Sequence, residues 1–422
     1  MMRDFDIVIL GGGIAGSAMA LALAKNAGSN TLNIALVDGG SLEPELPDVQ
    51  DTVFDPRVCA LTEASRHLLN NLGAWPLIEQ LRASPYQGME VWDANGTGNI
   101  AFSAGEYGQP WLGHIVENSI IRGALLSELK KTSVHRLSGV DVQKLEIDSG
   151  QEQGAPVRLL LGDKTALTAK LVIAADGANS RARSWAGIPM REWDYLHHAI
   201  VTTVELEKPH QETAWQNFLD TGPLAFLPLP SSSDGRHFCS IVWSLVPDEA
   251  QRVMELDDEA FCRELAIGME YKFGAIVGTD KRYCHPLRQR HARQYHRNNV
   301  VLVGDAAHTI HPLAGQGANL GLLDVAALAY EIDHACERSE DFASDRVLDR
   351  YQRSREGNNL AMAGVMEGLE RLFHSDNLMV RWLRNSGLNL VDKLPFLKEE
   401  IVTRAMGMQG DLPELARSRR AL

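Results

Sequence analysis

The sequence predicts an α/β fold in which a doubly wound, nucleotide-type domain is interleaved with an antiparallel-sheet domain and followed by a helical C-terminal region. Three observations carry this. The chain opens with a strand, a glycine-rich turn and an apolar helix in immediate succession. Two later apolar strands run into turns built of glycine and aspartate, Asp176-Gly177 and Gly304-Asp305. Between them, the middle of the chain changes to loosely alternating runs divided by proline and Ser-Gly turns, which is an antiparallel-sheet pattern.

Residues 5–10 (FDIVIL) suit a strand buried on both faces. Gly11-Gly12-Gly13-Ile14-Ala15-Gly16 satisfies G-x-G-x-x-G, residues 17–25 are Ala- and Leu-rich helix, and a second strand at 32–37 ends in Asp38. In such a βαβ unit Gly11 permits the tight turn, Gly13 lets a pyrophosphate approach the backbone, and Gly16 allows helix and strand to pack closely. The helix N-terminus faces the phosphates, and Asp38 accepts from a ribose hydroxyl. The same stretch carries no charge from Ile7 to Ala24 and holds Ala22-Leu23-Ala24, so a leader or a membrane span has to be weighed. Arg3 is outnumbered by Asp4 and Asp6, and four glycines interrupt the run, so neither is expected.

Further along, 57–61 leads into a helix at 63–72 closed by Gly73. Residues 88–93 and 99–103 read as paired strands joined at Asn95-Gly96. A helix is expected at 120–131, extended chain at 134–147 and 157–161, and a buried strand at 171–175. Runs at 198–206, 224–229 and 237–245 form the antiparallel sheet; 299–303 returns to a parallel-type strand, and helix dominates after Asp324. The expected division is 1–85, 105–185 and 286–340 for the nucleotide domain, 86–104 and 186–285 for the substrate domain, and 341–422 for the C-terminal helical region.

A formal net charge of −14 argues against nucleic acid as a partner, because phosphate binding needs a clustered positive face. Five cysteines, no two of them close in sequence, leave no redox pair or close zinc pair and fit a reducing compartment. Cytoplasm is the expected location, with a peripheral position on the inner face of a membrane left open. His308 and His311 have a spacing that could suggest a metal, but no third ligand accompanies them, and a loop histidine near a cofactor is preferred. His197-His198 reads as a strand start. The basic residues Lys281, Arg282, Arg288, Arg290, Arg293 and Arg297 read first as a solvated face, and attraction to anionic lipid or a nucleotide phosphate is the sharper alternative. Apolar residues mixed with Lys and Arg over 378–406 read first as helical core, with peripheral membrane contact as the alternative.

Two further motifs join the first. Residues 176–183 fit D-G-x-x-S-x-x-R, and Gly304-Asp305-Ala306-Ala307-His308 is followed by Gly315-Gln316-Gly317-Ala318-Asn319-Leu320-Gly321. Carboxylates at strand ends can accept from sugar hydroxyls, and a glycine-rich turn opening a helix presents N–H groups to a ring or phosphate. Together the three motifs resemble the single-component flavoprotein aromatic hydroxylases, the class that includes para-hydroxybenzoate hydroxylase. FDPRVCALTEAS at 54–65, LGHIVENSIIRGAL at 112–125 and GDAAHTIHPLAGQGANLG at 304–321 resemble the ubiquinone-biosynthesis hydroxylases. YQGMEVWD at 86–93, WDYLHHAIV at 193–201 and FCSIVWSL at 238–245 look most like the 2-polyprenylphenol (2-octaprenylphenol) hydroxylase branch.

The resemblance, which runs from Phe5 to about Pro413, implies bound FAD, NAD(P)H and O2 as cosubstrates, and hydroxylation of a polyprenylated phenol ortho to its hydroxyl through a flavin C4a-hydroperoxide. It places Gly11, Gly13 and Gly16 at the pyrophosphate, Asp38 at the adenosine ribose, Asp305 at the ribityl chain, and Gly317, Ala318 and Asn319 against the isoalloxazine. Arg57 and Glu117 fall where relatives approach the flavin, Asp176 where flavin and NAD(P)H meet, and His311 and Pro312 line the active site. Asp38 stands where many relatives carry Glu, and Ala318 where many carry a larger apolar residue. With a single G-x-G-x-x-G, no second nucleotide domain is expected, and NAD(P)H docks transiently. No general base is identifiable. Hydroxylation at another ring position and a non-catalytic flavin-binding subunit of a ubiquinone-biosynthesis complex stay open, as do a lipid-carrying partner and homo-oligomer formation. A halogenase lacks its W-x-W-x-I-P motif here, and a disulfide reductase lacks its cysteine pair.

Overall fold

In the computed structural model, which describes residues 2–26, 28–29, 31–94, 96–146, 156–309, 317–373 and 412–418, the opening run forms strand β1 (Met2–Leu10) at the middle of an eight-stranded sheet. Ile7, Val8 and Ile9 have no exposed surface, as the unbroken apolar run requires of a strand covered on both faces. Helix α1 (Ile14–Lys25) follows, then strand β2 (Ile34–Asp38), which pairs parallel to β1 with Ile7 opposite Ile34. The parallel core runs in the order Val300–Leu302, Ala166–Ala174, β1, β2, His135–Ser138. Antiparallel strands Val142–Glu146, Val157–Leu161 and His296–Arg297 extend it.

This order sets the motif-bearing strand ends side by side. Gly11 N donates to Val37 O at 2.9 Å, Ala175 N to Leu10 O at 2.8 Å, and Val303 N to Ala174 O at 3.0 Å. Three turns separated by more than a hundred residues therefore open together at the carboxyl ends of adjacent strands, where doubly wound folds bind their ligands. Helices Asn118–Leu129 and Gly317–Glu337 pack on α1.

A nine-stranded sheet forms the second unit, in the order His308–Thr309, Tyr283–Ala292, Met190–Leu206, His237–Leu245, Gly222–Pro228, Thr213–Leu219, Gly88–Asp93, Asn99–Ser103, with Ile276–Thr279 beside the long strand. Helices Pro247–Glu255 and Asp258–Gly268 lie with one face, over Ile200, Phe226, Ile241 and Trp243. The other face meets the first unit where Ala214, Leu227 and Phe238 pack on Phe54, Ala60 and Ile115. Ala60 belongs to β3 (Val58–Leu61), which leads into helix α2 (Glu63–Asn71).

Several features differ from expectation. The second sheet was expected to end at 285 but continues to Ala292; in the run Tyr283–Ala292 the exposed or half-exposed Arg288 and Arg290 alternate with buried Leu287, Gln289 and His291, which in sequence resembles a solvated charge run. Its arginines are spent on neighbours, Arg288 and Arg290 both pairing with Glu192, and just before it Arg282 pairs with Asp258. His308–Thr309, expected in the nucleotide domain, adds an edge to the second sheet. Thr213–Leu219 runs parallel to Gly88–Asp93, a long-range pairing that no local pattern announces. His197 is buried, with Nδ1 2.9 Å from Tyr195 O. Strands Gly88–Asp93 and Asn99–Ser103 do pair as a hairpin, although Asn95 lies outside the described residues. The amphipathic stretch 378–406 also lies outside them. Among the described residues, no helix is long and apolar enough to cross a membrane.

Candidate functional site

A cavity of about 870 Å³ opens where the three turns meet. Gly11, Gly13, Asp38, Arg57, Asp176, Asp305, Gly317 and Ala318 line it. Its size is in the upper part of the roughly 300–1,000 Å³ range of ligand sites. Gly16, Glu117 and Asn319 are not on its wall, and His311 and Pro312 lie outside the described residues.

The first turn shows why glycine occupies it. Gly11 sits at φ +101°, and a Cβ there would come 2.4 Å from Ala175 O. A Cβ on Gly16 would come 1.8 Å from Gly11 O, so this glycine serves the close packing of helix on strand rather than the cavity. Gly13 is the opposite case: a Cβ would meet no atom within 4 Å, and the space it would enter belongs to the cavity. Gly13 is also the N-cap of α1 and provides no side-chain cap, which leaves first-turn N–H groups for an anion. Asp38 holds this turn from β2, with Oδ2 accepting from Gly12 N at 2.5 Å and Oδ1 from Gly40 N at 2.6 Å. Each carboxylate oxygen keeps a further lone pair.

Arg122 completes the turn, and the sequence reading missed it. Its Nε donates to Gly12 O at 2.7 Å and its Nη2 to Ser41 O, and it lines the cavity together with Asn118, one helical turn earlier. The signal was the i, i+4 spacing of Asn118 and Arg122, which puts both on one helix face.

Asp176 accepts at Oδ2 from Arg181 N at 2.9 Å and Ala182 N at 3.1 Å, while Oδ1 is buried without a hydrogen-bond partner. A buried acceptor left open beside a cavity is the mark of a group waiting for a ligand donor. Asp305, in the turn Gly304–Ala306, is exposed and lines the cavity; desolvation by the protein packed around it raises its carboxyl above the ordinary range, opposed by His308 and reinforced by Asp324. Cys59 also lines the cavity, but burial, with Asp305 and Asp55 adding to it, pushes its thiol up to about 12. It stays protonated and donates to Asn118 Oδ1 at 2.8 Å.

Glu117 and Asn319 act from behind the wall. Glu117 is 2% exposed and ion-paired with Arg82 at 3.0 Å, and it accepts from Asp55 N at 2.7 Å. Arg82 Nη1 donates to Asp51 O and Val53 O, and its guanidinium lies 4.8 Å from the Phe54 ring. The pair thus clamps the loop that presents Arg57. Burial pushes the Glu117 carboxyl up to about 6 despite that loop amide and Arg82. Asn319 donates to Ala60 O at 2.8 Å and accepts from Thr62 N at 3.0 Å, which ties the helix Gly317–Glu337 to β3 and α2 and leaves Gly317 and Ala318 facing the cavity. His308 is 2% exposed, bonded to Asp324 and part of the edge strand His308–Thr309 rather than a loop, while His311 lies outside the described residues.

The open space at Gly13, the uncapped start of α1 and the unpartnered Asp176 oxygen fit a dinucleotide laid from the first turn toward Gly317. Comparison with known proteins agrees. The FAD binding domain family model matches residues 4–364. A mitochondrial ubiquinone biosynthesis monooxygenase of Xenopus tropicalis is 33% identical over 95% of this chain and 93% of its own. The 3-demethoxyubiquinol 3-hydroxylase of Escherichia coli (strain K12) is 34% identical over 96% of this chain and 98% of its own. Among solved structures, PqsL of Pseudomonas aeruginosa in complex with 2-aminobenzoylacetate matches with a TM-score of 0.74 at 21% identity, over 92% of this chain and 99% of that one. The p-nitrophenol 4-monooxygenase of Pseudomonas putida DLL-E4 matches with a TM-score of 0.74 at 19% identity, over 97% and 100% of the two chains. These last two likenesses show the fold.

Proposed function

The chain belongs to the FAD binding domain family and, within it, to the flavin monooxygenases of ubiquinone biosynthesis, and on that premise we propose that it hydroxylates the ring of a 2-polyprenylphenol ortho to the phenol. As a flavoprotein aromatic hydroxylase it uses NAD(P)H and O2. The observation that carries the reading is the convergence of the three strand-end turns on one cavity, to whose wall the edge of the second sheet contributes Thr309.

When bound, FAD supplies the redox chemistry that joins NAD(P)H oxidation to oxygen transfer. The protein binds and orients. In this reading Gly11 and Gly13 admit the pyrophosphate at the start of α1, Gly16 holds the helix close, and Arg122 keeps the turn's carbonyls drawn back. Asp38 and Asp305 accept from ribose and ribityl hydroxyls, and Asp176 offers Oδ1 where the nicotinamide donor arrives. Gly317 and Ala318 let the ring lie against backbone, with Asn319 fixing them. Arg57 reaches the ring end on the loop that Glu117 and Arg82 hold.

For the phenol, the second sheet supplies a wall. Val201, Val242, Ala225, Gln216 and Val91 stand opposite one another across five strands, on the same face as Phe238 and Leu227. Val201, Val242, Ala225 and Val91 are only half-buried. An apolar wall excludes water and seats a prenylated ring, which orients the carbon to be oxidised. Such a substrate partitions into lipid, so the enzyme takes it up at a membrane surface or from a lipid-carrying partner of a biosynthetic complex.

A second reading, oxidation at another ring position, is favoured by the relative whose name specifies a demethoxyubiquinol 3-hydroxylase. The test is to give the holoenzyme a 2-polyprenylphenol and a demethoxyubiquinol in parallel with NAD(P)H. Mass spectrometry reads the gain of an oxygen atom, and NMR reads its position. Ortho hydroxylation of the phenol supports the proposal, turnover of the methoxylated ring alone supports the second reading, and turnover of neither rejects both.

A further inference from the structure

Behind the Asp305 turn lies a polar cluster that the cavity does not reach. Its centre is Asp324 on the helix Gly317–Glu337, with no exposed surface. Oδ2 accepts from Gly304 N at 3.1 Å and from His308 Nε2 at 2.5 Å. Gly304 and His308 bracket Asp305, so one carboxylate grips both ends of the turn that offers the other to the cavity.

The opposite oxygen of Asp324 is held from the long helix Asp345–Phe373. Oδ1 accepts from Arg355 Nε at 2.8 Å and from Asn359 Nδ2 at 3.1 Å, and Arg355 Nη2 donates to Asn359 Oδ1 at 2.9 Å. Asn359 also donates to Tyr295 Oη at 3.1 Å, which in turn lies 3.0 Å from His291 Nε2. Arg355, Asn359, Tyr295 and His291 are each at most 4% exposed. The cluster therefore spans four parts of the chain, from the turn to the second sheet, and satisfies each of its members, as a buried polar network must to be tolerated. Strand pairing continues it: His308 lies opposite His291 across the edge of that sheet.

We propose that Arg355 and Asn359 are positioning residues for the flavin: through Asp324 they fix the Gly304–His308 turn and hence the place of the Asp305 carboxylate against the ribityl chain. Two physical effects carry the coupling. Arg355 and Asn359 fix the rotamer of Asp324, and with it both anchors of the turn. Arg355 also offsets a buried negative charge next to Asp305; without it Asp324 must protonate, draw in water or swing away, and each of these loosens its hold on Gly304 N and His308. The inference rests on reading Asp305 as the ribityl acceptor.

The test uses full-length protein freed of FAD and titrated with FAD, affinity being read from quenching of flavin fluorescence and folding from circular dichroism and thermal melting. Arg355→Met and Asn359→Ala are expected to weaken FAD by roughly 3- to 30-fold, the span of coupling between a site and residues that touch no ligand. Arg355→Lys, which keeps the charge, is expected to recover part of the loss. The double variant Arg355→Met, Asp305→Asn is expected to bind no more than about twofold worse than Asp305→Asn alone, whereas the losses of Arg355→Met and Gly13→Ala, at the other end of the cavity, are expected to multiply. Should Arg355→Met fail to fold, Asn359→Ala makes the same comparison. If Asp305→Asn weakens FAD but the folded Arg355 and Asn359 variants bind as the wild type does, the clamp is refuted alone. If Asp305→Asn binds normally, the ribityl reading is refuted and the route through Asp305 with it.

Discussion

Replacing Gly13 and Gly16 separately by alanine distinguishes a cofactor cradle from a packing device within one turn. At Gly13 the backbone has φ −74° and ψ −169°, which alanine adopts freely, and the added methyl meets no protein atom within 4 Å. Losing a favourable N-cap costs about 0.5–1 kcal/mol, and the stiffer unfolded chain returns about 0.4–1 kcal/mol, so the apoprotein should melt nearly as the wild type does. The methyl would stand where the pyrophosphate approaches. Overpacking of this kind costs about 1–3 kcal/mol, which at about 1.4 kcal/mol per decade is a loss of roughly 5- to 150-fold in FAD affinity. At Gly16 the methyl would lie 1.8 Å from Gly11 O and 3.2 Å from Ala175 Cβ, so α1 must move off the strand. Here the apoprotein itself should lose about 3 kcal/mol. Thermal melting of both apoproteins and fluorescence titration with FAD decide the matter. Folded Gly13→Ala that binds FAD within about twofold of wild type, or Gly16→Ala that melts normally, would refute this division of roles.

Three further outcomes are expected. Arg122→Met removes two charge-assisted hydrogen bonds that hold Gly12 O and Ser41 O, each worth about 1.5–3 kcal/mol, and should weaken FAD by at least about tenfold in a protein that still folds; an unchanged affinity by the same titration would remove Arg122 from the site. Glu117, raised from 4.5 to about 6, binds its proton more tightly in the folded state. Its contribution to stability is therefore full below about pH 4.5 and is lost as pH rises through about 6, by roughly 2 kcal/mol; urea unfolding between those values should show this fall in the wild type relative to Glu117→Gln, and a flat difference would contradict it. Cys59, with its thiol near 12, should resist iodoacetamide at pH 8 in the folded protein and react after unfolding, as peptide mass spectrometry would show.

The parts of the site legible in the sequence are those whose chemistry is local. A strand, a turn that only glycine can make and an apolar helix follow one another within residues 2–25, so Gly11, Gly13 and Gly16 could be assigned distinct tasks from their spacing. Asp176 and Asp305 were recognisable because each follows an apolar strand directly. Supports drawn from far along the chain were not recognisable. Arg82 meets Glu117 across 35 residues, and Asn319 meets Ala60 across 259, and nothing in either neighbourhood encodes the partner. The same holds for Asp324 and Arg355, two charges that read from the sequence as ordinary members of polar helix faces. The second sheet was legible where alternation was apolar, as at His237–Leu245, and hidden at Tyr283–Ala292, where basic residues that pair across strands imitate a solvated run. Glu117 and Asn319, expected beside the flavin, stand off the cavity wall and brace it from behind through contacts that no local pattern announces.

The most direct test of hydroxylation supplies the FAD-loaded enzyme with a 2-polyprenylphenol, NAD(P)H and isotopically labelled dioxygen, and follows the label by mass spectrometry. One labelled oxygen atom in the ring hydroxyl of the product, in step with NAD(P)H consumed, is the expected result. NAD(P)H consumption that yields only hydrogen peroxide, or a hydroxylated product whose oxygen comes from water, would contradict it.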